Sequence, residues 1–148
     1  DRDLPELKRI SRASLPELGG FGTVGLAQLA WAFASLAVRD WDLLLGLGRE
    51  AKSRRKALTP FDLSSIAWSF AKLRLRDQVL VRALAEEAVV KAESFKPQDT
   101  SNLAWALATL GVCDWPLMDG IATSFVAQMA ECETQAVANT AWAYAALG

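Results

Sequence analysis

Ala104-Trp105-Ala106-Leu107-Ala108-Thr109-Leu110 decides the fold, because its pattern of Ala, Trp, an aromatic or Leu, Ala and Leu occurs four times. The other copies are Ala30-Trp31-Ala32-Phe33-Ala34-Ser35-Leu36, Ala67-Trp68-Ser69-Phe70-Ala71-Lys72-Leu73 and Ala141-Trp142-Ala143-Tyr144-Ala145-Ala146-Leu147. Each Trp follows the last by 37 residues, with no insertion. Four aspartates, Asp3, Asp40, Asp77 and Asp114, keep the same 37-residue interval. Fixed self-similarity at this period is the mark of a repeat architecture.

Working outward, the unit reads as two helices. Thr59-Pro60-Phe61-Asp62 is a start signal: Thr caps, Pro suits the first turn, and Asp62 completes a capping box. Helix A is expected from about Pro60 to Arg74 and from about Pro97 to Leu110, with Gly111 as a C-cap. Helix B is expected to begin at the periodic Asp, as from Asp77 to Glu93. Pro16 and Gly19-Gly20 cut the first helix B short. The expected fold is all-α: an α-solenoid of stacked 37-residue helix-turn-helix repeats in a right-handed superhelix, forming one domain over 1–148. Its parts are a half repeat 1–20, repeats 21–57, 58–94 and 95–131, and a half repeat 132–148. The chain opens on Asp1 and stops in mid-repeat, so a processed or partial array is expected, with further repeats or a partner over its ends.

Composition narrows the function. Of 148 residues 52% are hydrophobic, enough for a substantial core. Net charge is −1, but residues 1–56 carry 10 Lys/Arg against 7 Asp/Glu, while 57–148 carry 6 against 10. Attraction to phosphate should therefore be stronger in the N-terminal part. Histidine is absent, which excludes a His-based triad, a His–zinc site and a His general base. Cys113 and Cys132 have neither metal nor redox spacing, and suit a reducing compartment. No Gly-rich phosphate loop, nucleophile elbow or metal cluster appears, so no catalytic residue, cofactor or metal is expected. No apolar run approaches the roughly 20 residues that span a bilayer.

The scaffold positions are apolar. Ala before and three after each Trp lets neighbouring helices approach closely, and the Trp side chains are expected to pack between units. Removing one so placed should cost about 3–5 kcal/mol. One stripe of helix A stays polar, at −7, −3, +1 and +4 from the Trp. It reads Val24, Gln28, Ala32, Ser35; then Phe61, Ser65, Ser69, Lys72; then Gln98, Asn102, Ala106, Thr109; then Gln135, Asn139, Ala143, Ala146. Amides and hydroxyls repeated once per unit are what a modular base reader uses, since each offers donors and acceptors together. The alternative is an amide ladder between repeats, or local capping of the first turn. Lys72, Arg39 and Arg76 are the candidate phosphate contacts; Cys113 stands at the equivalent place in the third copy. Arg54-Arg55-Lys56 reads as a solvated helix C-terminus.

The segment Phe95-Lys96-Pro97-Gln98-Asp99-Thr100-Ser101-Asn102-Leu103-Ala104-Trp105-Ala106-Leu107-Ala108-Thr109-Leu110-Gly111 resembles the repeat of heptatricopeptide and octotricopeptide proteins. Such repeats accompany RAP domains and are similar to those of FAST-kinase-like proteins. The resemblance covers nearly the whole chain. It implies an α-solenoid that binds single-stranded RNA or rRNA in a chloroplast or mitochondrion, for RNA maturation, translation or ribosome assembly. The competing expectation is a protein-interaction scaffold, or a structural subunit of a large organellar complex such as a ribosome or membrane-bound assembly.

Overall fold

The computed structural model describes residues 4–148. Asp3, the first of the periodic aspartates, lies outside them. Eight helices follow in order: α1 (Pro5–Ser14), α2 (Thr23–Ser35), α3 (Trp41–Ser53), α4 (Pro60–Lys72), α5 (Gln78–Val90), α6 (Pro97–Leu110), α7 (Trp115–Ala127) and α8 (Thr134–Leu147). The architecture is all-α, as the 37-residue period predicts. Helices α2, α4, α6 and α8 pack side by side as one layer, and α3, α5 and α7 follow one another on the other side of it.

Local signals set the boundaries. Asp40, Asp77 and Asp114 each accept from the backbone N–H three residues on, at 3.1, 3.0 and 3.2 Å, and so start α3, α5 and α7. Thr59 and Asp62 form the expected capping box: Thr59 N–H donates to Asp62 at 3.0 Å, and Asp62 N–H to Thr59 Oγ1 at 3.2 Å. Ala37, Arg74 and Gly111, again 37 residues apart, take left-handed φ of 55°, 56° and 68°. The next N–H in each case reaches back to a carbonyl, Val38 to Phe33, Leu75 to Phe70 and Val112 to Leu107, at 2.8–2.9 Å. This is the Schellman ending, and of these three copies the third supplies glycine for it; Gly148, next in the series, also has positive φ, at 85°.

Helix B is shorter than expected. α5 stops at Val90, and Ala92–Ser94 form a 3₁₀ turn; Arg55–Ala57 and Met129–Glu131 do the same in the flanking repeats. Just ahead of each turn, a side chain clasps the start of its own repeat. Arg54 Nη1 donates to the Phe21 carbonyl at 2.6 Å, Lys91 Nζ to the Leu58 carbonyl at 2.7 Å, and Gln128 Nε2 to the Phe95 carbonyl. Donor and acceptor both recur every 37 residues. The solvated role expected of Arg54 is therefore corrected: its guanidinium is half-buried and structural. A charged donor to a buried carbonyl contributes about 1.5–3 kcal/mol.

The core is one continuous cluster. Leu26, Phe33, Leu63, Ile66, Phe70, Leu103 and Leu107 of the first layer meet Leu43, Leu44, Leu47, Leu80, Leu84 and Met118 of the second, all buried. Ala30, Ala34, Ala67, Ala71 and Ala104 are also buried, which is how the A helices come so close to one another.

Candidate nucleic-acid interface

Small residues between the A helices decide where the large ones go. With alanines at the contact, no gap between α2, α4, α6 and α8 is wide enough for an indole. The indoles turn instead to the open face of the layer. Trp31 is 54% exposed and Trp142 51%, while Trp68 and Trp105 are half-buried against each other. The expectation that the Trp side chains pack between units holds for Trp68 and Trp105, which meet across successive repeats, and is corrected for Trp31 and Trp142. They stand on an open face, and the end copies lack the neighbour that the middle copies have.

The polar stripe shares that face, with one column removed. On a 3.6-residue wheel the Trp lies within about 60° of the stripe's centre, whereas the +1 position lies at its far edge. That column falls into the helix contact: Ser69, Ala106 and Ala143 are all fully buried. Ser69 Oγ donates to the Ser65 carbonyl at 2.7 Å, so its hydroxyl is spent within its own helix. Ser69 is therefore withdrawn as a candidate. Ser65 is 6% exposed and only reaches the edge of the open face. Gln28, Ser35, Lys72, Gln98 and Gln135 are exposed, and Asn102, Thr109 and Asn139 half-buried.

The amides do not bridge repeats. Gln98 Nε2 donates to Asn102 Oδ1 at 3.0 Å, and Gln135 Nε2 to Asn139 Oδ1 at 2.9 Å, each pair within one helix. A pair bonded once still keeps a carbonyl on one residue and an NH₂ group on the other for an outside partner. Lys72 Nζ sits 5.9 Å from the centroid of the Trp68 ring, which brings a cation onto the aromatic face. Arg39 and Arg76 are exposed in the turns after α2 and α4, as is Cys113 after α6.

Between α2, α4 and α6 the open face deepens into a cleft of about 760 Å³. Trp31, Phe61 and Trp68 wall it, with Gln28, Ser64 and Asn102 among its polar groups. The sequence reading treats Trp31 and Trp68 as scaffold and counts Phe61 in the stripe. The signal that identifies them is the wheel angle: a Trp so close to a polar stripe cannot also face the core. Among the described residues no group of His, Cys, Asp or Glu side chains is placed to hold a metal ion. Nor is any helix there long and apolar enough to cross a membrane.

No curated protein matches the chain in sequence. A family model does: the RNA-editing substrate-binding complex 6 protein, matched over residues 7–148. That match corrects the resemblance to heptatricopeptide and octotricopeptide repeats to a coarser statement, an RNA-associated helical family. With the stacked helices, the open aromatic face and a match over nearly its whole length, the chain belongs to the RNA-editing substrate-binding complex 6 protein family.

Proposed function

We propose that the chain is a non-catalytic, helical-repeat RNA-binding protein that takes single-stranded RNA along the open face of α2, α4, α6 and α8. One observation carries the reading. That face lines up indoles, amides and the Lys72 ammonium, and these are the groups that single strands use for stacking, base edges and phosphate. The family supports it, since its name places its members in an RNA-editing substrate-binding complex. Within this reading the repeat period, like that of heptatricopeptide proteins, advances the RNA by one register per helix pair. Of the two organelles that the resemblance implies, the family favours the mitochondrion; a chloroplast setting has no support from it.

The experiment is a titration of labelled single-stranded RNA with the purified chain at low and rising salt. Binding that weakens steadily with salt is expected, since the phosphate contacts release counterions. Failure to bind at low salt removes the reading.

A second reading, as a protein scaffold in the same assembly, has its own observation. Trp41 and Trp115 open helices α3 and α7 in the other layer, and each is 55% exposed. Exposed indoles there suit a protein partner. The two readings are compatible, because they use opposite layers.

A further inference from the structure

We propose that the cleft walled by Trp31, Phe61 and Trp68 seats one unpaired nucleobase by its faces, with Gln28 and Asn102 at its edge. The inference rests on the RNA-binding reading above and goes beyond a uniform register. Trp31 and Phe61 are 54% and 55% exposed, so two large aromatic side chains lining one cleft are left open to water. The lining carries no charged side chain, so the interior does not suit a phosphate. The cation lies outside, where Lys72 sits 5.9 Å from the Trp68 centroid.

A flat, neutral ring with a hydrogen-bonding edge and an anionic tether meets all three features. An apolar side chain would use the rings alone. The Gln28 side chain is exposed at this edge, its amide open to water. Asn102 gives only its carbonyl to Gln98 and keeps its NH₂ group. Two amides at one edge supply donors and acceptors for a base.

Among the described residues the seat occurs once. The counterparts of Phe61 in the other A helices are Val24, Gln98 and Gln135. One repeat further on, Trp68 and Trp105 lean on each other at 6.3 Å and close the equivalent gap. The arrangement is thus one stacking site in a row of amide positions. The bound strand is anchored at one nucleotide and sampled at the others.

The test measures the affinity of the chain for single-stranded oligonucleotides, using wild type, Trp31→Ala, Trp31→Phe and, as a control on α5 in the other layer, Val90→Ala. A second series walks a single abasic site along the oligonucleotide. Loss of a base-stacking ring should weaken binding about tenfold in Trp31→Ala, while Trp31→Phe keeps most of the affinity and Val90→Ala all of it. One abasic position should cost the wild type the same factor and cost Trp31→Ala nothing more. If Trp31→Ala matches Val90→Ala and no abasic position stands out, the seat is overturned while RNA binding stands. If the wild type binds no RNA, both fall. A protein partner lost on Trp31→Ala at unchanged RNA affinity overturns the seat in favour of a peptide site.

Discussion

Trp68 and Trp105 are 37 residues apart in the chain, yet their ring centroids lie 6.3 Å apart with planes inclined at 36°. The separation falls within the roughly 4.5–7 Å of interacting aromatic pairs, with the planes between stacked and edge-to-face, and the contact joins two successive repeats on their open face. Because both rings are half-buried, Trp68→Ala should cost about 1–2 kcal/mol, less than the removal of a fully buried indole. Trp142→Ala, half-exposed and with no such partner, should cost less. A double-mutant cycle over Trp68 and Trp105 in urea should return a coupling of about 0.5–1.5 kcal/mol. Strictly additive losses would mean that the rings are neighbours without interaction.

Arg74 offers a gain rather than a loss. It holds φ of 56° at the end of α4, where the next repeat has Gly111 at 68°. A side chain in this region costs about 1–2 kcal/mol that glycine avoids, part of which glycine gives back through its freer unfolded chain. Arg74→Gly should therefore raise stability by about 0.5–1 kcal/mol. Gly111→Ala should lower it, although a Cβ there would meet nothing within 4 Å. Thermal melts of the two variants check the pair: a lower midpoint for Arg74→Gly would show that the arginine side chain contributes more than its backbone strain costs.

The order and kind of helices were legible because caps and period act locally. The Asp N-caps, the Thr59 box and the Gly111 ending each need only residues within one turn. The positions of the indoles were not legible in the same way. They depend on how closely two A helices approach, and that distance is set by Ala30, Ala67 and Ala104 acting together across repeats. The withdrawal of Ser69 has the same origin, since its column meets the neighbouring helix. The clasps of Arg54, Lys91 and Gln128 escaped notice because three different side chains do one job. Only their common 37-residue spacing and their shared carbonyl target reveal it.

Tyr144 gives a pH test without ambiguity, since it is the chain's single tyrosine. Its hydroxyl donates to the Met118 carbonyl. Burial pushes its pKa from 10.0 up to about 12; a backbone contact from Ala122 opposes this, and the Asp119 carboxylate adds to it. Between those values the unfolded chain has released a proton that the folded chain still holds. Stability from this group is therefore fully present below pH 10 and falls as pH rises toward 12. The decline should be shallower in Tyr144→Phe, and an ultraviolet titration of the folded protein should show phenolate only well above pH 10. Phenolate forming at the ordinary tyrosine pKa while the fold is intact would contradict the burial argument.

The amide pairs make the functional reading quantitative. Gln98 bonds Asn102, and Gln135 bonds Asn139, in the same geometry on successive A helices. Each pair spends one donor and one acceptor on itself, and keeps one carbonyl and one NH₂ group. If the two pairs face successive bases, Asn102→Ala should lose about 1–3 kcal/mol against the preferred base at one position and much less against the others. Asn139→Ala should do the same at the neighbouring position. Lys72→Ala removes a charge instead of an edge contact. It should weaken every sequence alike and reduce the slope of log affinity against log salt by about one. Affinities for an oligonucleotide set varied one base at a time, measured at two salt concentrations, separate these effects. An Asn102→Ala loss that is equal for all four bases would leave the pair a helix-surface bond with no part in reading RNA.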